Sequence, residues 1–401
     1  MPQPTTNTSP EALAQAHAIH RQCLVLDAHA DIILDPTNSL MLGPDGRSLV
    51  APEKLVAGGV GAVVMCVAVD WAPRQPAYDA AGRAMADEKL AAILAMVSEN
   101  PETLALATTA DEIVAARHTG RTAIVLGFQN ARSLQGNVEA LDDFYRAGCR
   151  VFSLVHMGHN DYCDSSRPIF HGRTASYEPT EEHGGLSALG RAAIERINAL
   201  RGIVDVSQMS KAATLQTIDL SSTPVIASHS NIRAMSDVAR NLSDEEIDRI
   251  AETGGVIHIG AFGPSLVELS STEVRSGIAA VRREYGLAPD YSYPYELYWE
   301  LADNKQKHAF QMAIMGVIGA GSVADMVRHI DYVVERVGVD HVGIGNDYNH
   351  GGGRIGGLGD AGDSLNLTAA LVERGYGAAD IAKIWGENFM RVFRAVESSG
   401  A

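Results

Sequence analysis

The amino-acid sequence predicts an α/β fold, a (β/α)8 TIM-like barrel with long loop insertions after predicted strands 4 and 7. Three observations support this prediction. Eight short apolar runs are rich in Val and Ile, helix-like segments separate them, and polar side chains follow the runs repeatedly. Runs that are apolar nearly throughout are typical of parallel strands covered on both faces. A doubly wound open sheet is the alternative fold.

The predicted elements alternate along most of the chain. The predicted strands cover residues 23–31, 61–70, 122–130, 150–161, 202–210, 224–230, 254–262 and 341–350. Amphipathic or capped segments predict helices over residues 78–100, 186–200, 242–255 and 322–338. We expect residues 1–22 to form a helical lead-in and residues 23–398 to form a single barrel domain.

Two segments are too long to be simple connections. Residues 157–185 are polar and glycine-rich, and residues 263–321 contain an aromatic stretch. Insertions of this length often cover a functional site. For the second insertion, an oligomer contact or a surface role is an equal alternative.

Composition limits the classes of function. The chain has 401 residues, 46% of them hydrophobic, and a net charge of −17, which argues against nucleic-acid or anionic-membrane binding. Its four cysteines are widely spaced without a CxxC pair, which fits a reducing compartment. No signal peptide and no membrane-spanning apolar run is evident, so we expect a cytoplasmic protein without a membrane partner.

Polar residues cluster where the predicted strands end, and in barrels of this type those ends form the active site. They are His29, Asp31, Gln129, Asn130, His156, His159, Asp161, Gln208, His229 and Asp347. One histidine at a strand end is more often structural, but several at one edge favour a shared site. Imidazole and carboxylate groups suit zinc or a similar ion. Asp347 is the best candidate for the group that moves protons during hydrolysis.

Six sequence motifs resemble the membrane (renal) dipeptidase family, the M19 metallopeptidases. The motifs are DAHAD (27–31), GLSALGR (185–191), VIASHS (225–230), RNLSDEEI (240–247), GVDHVGIGNDYNHG (338–351) and GENFMRVF (386–393). The resemblance implies a TIM-like barrel, commonly dimeric, with a two-zinc site that hydrolyses dipeptides.

The resemblance also implies a role for individual residues. Asp347 matches an aspartate that contacts metal and shuttles the proton, and His156 matches a histidine that stabilises the tetrahedral intermediate. Arg240 matches the arginine that binds the substrate carboxylate, which suits its planar donor fork. The implied metal ligands are His29, Asp31, His229 and Asp347.

Two positions depart from the family pattern. Gln129 stands where the family has a bridging glutamate, and Gln208 stands where it has a histidine ligand. We therefore predict one zinc ion rather than two, and we place Gln129 and Gln208 among the substrate-binding residues. Two alternatives remain open: other histidines complete a second position, or no metal binds. The candidate histidines are His159, His258 and His350.

The predicted function is metal-dependent hydrolysis of an amide bond in a small carboxylate-bearing substrate, by a homodimer. Water activated by the metal would attack the carbonyl, with Asp347 as general base and then acid. One alternative is a lyase or isomerase step on a small metabolite. Another is a non-catalytic ligand-binding protein on the same scaffold.

Overall fold

A parallel sheet organises the structure, a computed structural model that describes residues 9–34, 41–171, 174–289, 300–301, 303–350 and 354–399. Its strands run in the order β1-β2-β4-β5-β8-β9-β10-β11, with β3 paired beside β4, and β6 and β7 form a separate hairpin. The strands are β1 (Val25–Asp31), β2 (Val60–Ala68), β3 (Leu104–Leu106), β4 (Thr122–Gln129), β5 (Cys149–Ser153), β6 (Phe170–His171), β7 (Ser176–Tyr177), β8 (Ile203–Asp205), β9 (Ile226–Ala227), β10 (Val256–Ile259) and β11 (Val342–Ile344).

Helices precede, connect and follow the strands of the sheet. They are α1 (Pro10–Gln22), α2 (Pro52–Ala57), α3 (Pro76–Glu99), α4 (Ala110–His118), α5 (Leu141–Arg146), α6 (Ala188–Ala199), α7 (Lys211–Leu220), α8 (Asp244–Glu252), α9 (Gly263–Leu266), α10 (Thr272–Glu284), α11 (Asn304–Ile318), α12 (Val323–Val337), α13 (Ser364–Arg374), α14 (Ala378–Ala382) and α15 (Asn388–Ser398). Side chains of Ser and Thr cap several of them, and a full capping box at Ser243 and Glu246 begins α8.

The first and last strands of the sheet meet, which makes the sheet a nearly closed barrel. The Asp347 N–H donates to the His29 carbonyl over 3.0 Å, and the Asp31 N–H donates to the Tyr348 carbonyl over 3.0 Å. The predicted barrel is therefore confirmed, and the doubly wound alternative is wrong. Because all the strands of the sheet are parallel, their carboxyl ends lie at one rim.

Helix α15 packs against the amino-terminal end of the barrel. Buried residues from seven strands form one cluster with the apolar face of this helix and with buried residues of α4. The Arg391 side chain of α15 donates to the carbonyls of Gly254 and Asp340, which precede β10 and β11 at the amino-terminal end. With that end closed, the opposite rim is the place for a site.

Several predicted boundaries were wrong. The run 150–161 forms a strand only over Cys149–Ser153, and 341–350 only over Val342–Ile344, because the polar residues beyond belong to rim loops. Strand β3 was not predicted, since Leu104–Leu106 is only three residues long. Within the predicted lead-in, Pro10–Gln22 forms helix α1, and residues 1–8 lie outside the described residues.

The two insertions differ in structure. The first contains the short hairpin β6–β7 and irregular chain, and the second contains α9, α10 and α11. Part of the aromatic stretch and Gly351–Gly353 lie outside the described residues. All four cysteines are buried and free of disulfides. Among the helices described, none combines the length and the apolar character needed to cross a membrane.

Candidate metal centre

A buried aspartate, Asp27, ties the first strand to the last at the rim. Its Oδ1 accepts hydrogen bonds from the backbone N–H groups of His29 (3.1 Å) and Asn346 (3.0 Å). Its Oδ2 accepts one from Asn346 Nδ2 (2.7 Å). Asp347 follows with a φ of 56°, in the left-handed region that non-glycine residues rarely occupy. The hydrogen bonds of Asp27 thus hold two predicted ligands, His29 and Asp347, beside each other.

Three of the four predicted metal ligands form one cluster. Donor atoms of His29, His229 and Asp347 all lie within 4.8 Å of one another. His29 Nε2 is 3.7 Å from Asp347 Oδ1, and the rings of His29 and His229 stack with centroids 3.8 Å apart. Ligand atoms around a tetrahedral zinc ion are about 3.3–3.4 Å apart, from bond lengths near 2.0–2.1 Å. The cluster therefore fits one divalent ion after a small adjustment.

Asp31, the fourth predicted ligand, lies outside that cluster but next to it. Its Oδ1 is 3.8 Å from His29 Nε2, and this buried oxygen has no hydrogen-bond partner among the described residues. Burial raises the pKa of Asp31, and the nearby carboxylates of Asp347 and Asp70 raise it further. An orphaned, buried carboxylate oxygen beside a histidine is what a cation would satisfy.

The orientation of His229 is fixed by two residues that the sequence analysis did not identify, Asp205 and Ser228. The Ser228 hydroxyl donates to Asp205 Oδ2 (2.6 Å) and also lies 2.7 Å from His229 Nδ1. Because that hydroxyl has one proton and gives it to the carboxylate, His229 Nδ1 must carry its own hydrogen. The lone pair is then on Nε2, where Gln208 Nε2 donates a hydrogen bond (3.0 Å). A metal ion held by His229 would take the place of this hydrogen bond.

The charge state of His229 suits metal binding. Burial, together with the charges of His29 and Arg240, holds its pKa well below the usual value. A neutral imidazole with its lone pair directed into the site is the form that ligates metal, and an outer hydrogen bond on the other nitrogen is common for such ligands. A buried aspartate in the apolar run of β8 was the sequence signal for this network.

Gln129 and Gln208 lie at the same rim, as predicted. Gln129 is 1% exposed and Gln208 is 4% exposed. Gln208 has a φ of 68°, and the backbone N–H of Ser166 in the first insertion donates to its carbonyl over 2.9 Å. Gln129 Nε2 and Gln208 Oε1 are buried polar atoms without a hydrogen-bond partner among the described residues.

His156 and Arg240 lie close enough to Asp347 to influence its charge. Burial, with Arg167 and Lys89 nearby, lowers the pKa of His156 to about 4. Arg240 donates to the His229 carbonyl and to Ser230 Oγ (3.2 Å). Burial opposes the ionised form of Asp347, but the charges of His350, His29 and Arg240 outweigh it and lower the pKa of Asp347.

The alternative histidine ligands do not join the cluster. Both nitrogens of His159 are used, since Nδ1 accepts from the Ser165 N–H (3.0 Å) and Nε2 lies 2.7 Å from the Pro179 carbonyl. His258 Nδ1 lies 2.9 Å from the Ala227 carbonyl, and burial lowers its pKa to about 4. The ring of His350 packs edge-on against Phe262 at 4.8 Å. No described histidine therefore replaces the ligand missing at Gln208.

Related proteins are found by comparison of the sequence with known families. The sequence model of the membrane dipeptidase family, peptidase family M19, matches residues 13–401. Dipeptidase tcpJ of Claviceps purpurea is 28% identical over 356 residues, which cover 87% of this chain and 69% of that protein.

Solved structures show the same architecture. The probable dipeptidase PvdM from Pseudomonas aeruginosa superposes with a TM-score of 0.85 and 32% identity, covering 97% of this chain and 99% of that chain. A metallopeptidase from Rhodobacter sphaeroides, solved with a phosphinate mimic of the dipeptide L-Ala-D-Ala, shares the fold with a TM-score of 0.71 and 20% identity, covering 93% and 99% of the two chains. The chain thus belongs to the membrane dipeptidase family and is a hydrolase of the metallopeptidase type.

Proposed function

We propose that this protein hydrolyses an amide bond in a small, carboxylate-bearing substrate, with a single zinc ion at the rim of the barrel. The observation that carries the proposal is the cluster of His29, His229 and Asp347. The family indicates the general activity, metal-dependent hydrolysis of dipeptides. Gln129 and Gln208 are the reason to propose one metal ion rather than two.

The number of metal ions follows from charge and ligand type. Asp31 and Asp347 are the two carboxylates at the cluster, and together they balance one divalent cation. A second ion would have to take its ligands from Gln129 and Gln208. A neutral amide is a weak zinc ligand and does not balance the charge of the ion.

The ion would be held by His29, Asp347 and His229, with Asp31 completing the set. It would supply Lewis acidity, which lowers the pKa of water and polarises a carbonyl. Asp347, whose pKa is lowered, is ionised and able to accept a proton from the attacking water and return it to the leaving amine. The water oxygen bonds to the carbonyl carbon and the C–N bond breaks, so an acid and an amine result.

The remaining residues bind and orient the substrate. His156 is neutral at pH 7 and its Nδ1 is unpartnered among the described residues, so the imidazole is available to stabilise the developing oxyanion. Arg240 pairs with the substrate carboxylate, and its contacts with His229 and Ser230 place its positive charge beside the centre.

Metal analysis tests the proposal. Protein purified without chelators and dialysed against zinc should hold one equivalent per chain by mass spectrometry, and His29→Ala should hold none. The double variant Gln129→Glu with Gln208→His should hold two, because it adds a carboxylate and an imidazole at the rim. Two equivalents in the unmodified protein would contradict the proposal. No metal and no turnover of a dipeptide panel would favour a ligand-binding protein.

We also propose that the protein is a cytoplasmic homodimer that binds neither nucleic acid nor membranes. The net charge of −17 and the four buried, free cysteines are consistent with this proposal. Light scattering after size-exclusion chromatography checks the dimer.

A further inference from the structure

The side chain of Lys89 carries a positive charge from helix α3 to the rim of the barrel. It is half-buried, and its Nζ donates to the carbonyl of Ala68, the last residue of β2, over 2.6 Å. The carbonyl of the next residue, Val69, points to the end of β4, where it accepts from Asn130 Nδ2 (2.8 Å). Because successive carbonyls of a strand point to opposite neighbours, the Ala68 carbonyl and the Lys89 ammonium face β1.

The residue that ends β1 is Asp31, a proposed metal ligand. Asp31 is paired with Cys66 of β2, and Ala68 is two residues further along, which is about 7 Å in a strand. Burial raises the pKa of Asp31, and Lys89 is the charge that opposes this rise most strongly. The ammonium and the carboxylate therefore influence each other at the gap between β1 and β2.

The carboxylates on this side of the centre carry more charge than one zinc ion balances. Besides Asp31 they are Asp347 and Asp70, and both raise the pKa of Asp31 further. Asp70 is exposed, so water screens it in part. A divalent ion balances two of the three charges, and Lys89 provides the third positive charge. Arg240 acts on Asp347 as well, but in the proposed function it pairs with the substrate carboxylate.

The same ammonium acts on the proposed site of the oxyanion. Burial lowers the pKa of His156, and the charges of Arg167 and Lys89 lower it further, against the opposite effect of Asp70 and Asp347. When water adds to the substrate carbonyl, a new negative charge forms beside this imidazole. A fixed positive charge nearby stabilises that charge more in the transition state than in the ground state.

We propose that Lys89 is a resident cation of the metal centre. It balances the carboxylate charge that a single zinc ion leaves, and it stabilises the developing oxyanion through space. The inference rests on the proposed single-zinc function and adds a residue to it. It has two opposite consequences: Lys89 repels the zinc ion and so weakens its binding, yet it speeds hydrolysis in the zinc-loaded protein.

Zinc affinity tests the inference without any turnover. Lys89→Gln removes the charge but retains an N–H donor for the Ala68 carbonyl, Lys89→Met removes both, and Lys89→Arg retains the charge. By competition with a chromophoric chelator, the Gln and Met variants should bind zinc about tenfold more tightly than the unmodified protein, because a like charge has been removed. The Arg variant should bind zinc as the unmodified protein does. Damage to the fold would weaken zinc binding instead, so the sign of the change separates charge from structure.

Kinetics at saturating zinc provides the second readout. With a panel of dipeptides, kcat should fall about tenfold in Lys89→Gln and Lys89→Met with little change in KM, because the stabilised charge forms only in the transition state. Lys89→Arg should recover most of the rate. Lys383→Gln removes a lysine that pairs with Asp340 (2.7 Å) at the opposite end of the barrel, and it should change neither zinc affinity nor kcat.

The inference and the proposed function fail in different ways. Unchanged or weaker zinc binding in Lys89→Gln overturns the inference and leaves the hydrolase function in place. A change confined to Lys89→Met overturns it too, because the hydrogen bond to Ala68 would then be responsible. Tighter zinc binding with unchanged kcat overturns the oxyanion role.

Other outcomes remove the proposed function instead. Tighter zinc binding in Lys89→Gln, with no dipeptide cleaved by any of the proteins, supports the resident cation and removes the hydrolase function. If only the Gln and Met variants bind zinc, the single-zinc proposal is wrong for the unmodified protein and the resident cation is supported. Absence of zinc from every variant overturns both.

Discussion

Two parts of the barrel mouth share one rim but differ in chemistry. The metal half consists of His29, Asp31 and Asp347, at the ends of β1 and β11, and the amide half consists of Gln129 and Gln208, near the ends of β4 and β8. In the metal half, donor atoms lie 3.7–3.8 Å apart and backbone hydrogen bonds hold them. In the amide half, neutral side chains present unpartnered atoms. From this comparison we expect charge, rather than position at the rim, to determine which half can hold a cation.

The largest expected effect comes from neutralising the metal half. Asp347→Asn keeps the side-chain size and the backbone N–H bond to His29, but it removes the proposed proton acceptor and proposed metal ligand. We expect kcat/KM to fall by about 10³-fold or more, together with loss of bound zinc. The measurements are steady-state kinetics and metal content.

A matched control separates chemistry from folding. Asp331→Asn removes a carboxylate that pairs with Arg374 and Tyr376 on the outside of the barrel. This variant should retain activity and metal. If Asp347→Asn kept both as well, the metal half would not be the catalytic centre.

The metal half was largely predictable from the sequence. Its residues follow apolar runs that had to be parallel strands, and parallel strands bring their carboxyl ends to one edge. His29 and Asp347 are 318 positions apart in the chain, and only the closure of the barrel between β1 and β11 brings them together. The prediction of eight strands was therefore enough to place them in contact.

The supporting contacts were not predictable in the same way. Asp205 interrupts the apolar run of β8, but its role with Ser228 depends on which nitrogen of His229 faces a hydroxyl. Lys89 lies in the middle of α3, and its sequence context gives no sign that its ammonium reaches the carbonyl of Ala68. Such contacts depend on side-chain direction between elements, which periodicity does not determine.

A moderate effect on zinc affinity is expected from Ser228, which orients His229. His229 lies between the two halves. Ser228→Ala removes the acceptor of the His229 Nδ1 hydrogen, so the imidazole can change tautomer and turn its lone pair away from the site. We expect zinc affinity to fall by about 10–100-fold, as for other outer contacts of metal-bound histidines. Competition with a chromophoric chelator measures this change.

Two further variants sharpen the result. Ser228→Thr keeps the hydroxyl and should recover most of the affinity. Ser236→Ala removes another buried serine, one that bonds to the Pro264 carbonyl, and should leave zinc affinity unchanged. Unchanged affinity in Ser228→Ala would mean that His229 is not a metal ligand.

The smallest expected effect concerns stability and limits the pH range in which the two halves can be compared. His329 of α12 lies between two backbone groups away from the rim: Nδ1 accepts from the Ile232 N–H (3.1 Å), and Nε2 lies 3.1 Å from the Leu266 carbonyl. Burial lowers its pKa to about 4 from an ordinary 6.5. Because the folded-state pKa is the lower one, its contribution is complete above pH 6.5 and is lost as the pH falls toward 4.

The expected loss at pH 5.5 is about 1.4 kcal/mol of unfolding free energy from this one histidine. Urea unfolding at pH 7.5, 6.5 and 5.5 measures it, with zinc omitted so that ligand binding does not contribute. His329→Gln can keep both hydrogen bonds but does not titrate, so its unfolding free energy should decrease less between pH 7.5 and 5.5. An identical decrease in the two proteins would show that His329 does not couple protonation to folding. His156 and His258, whose pKa values are also lowered to about 4, act in the same direction in both proteins and cancel in the comparison.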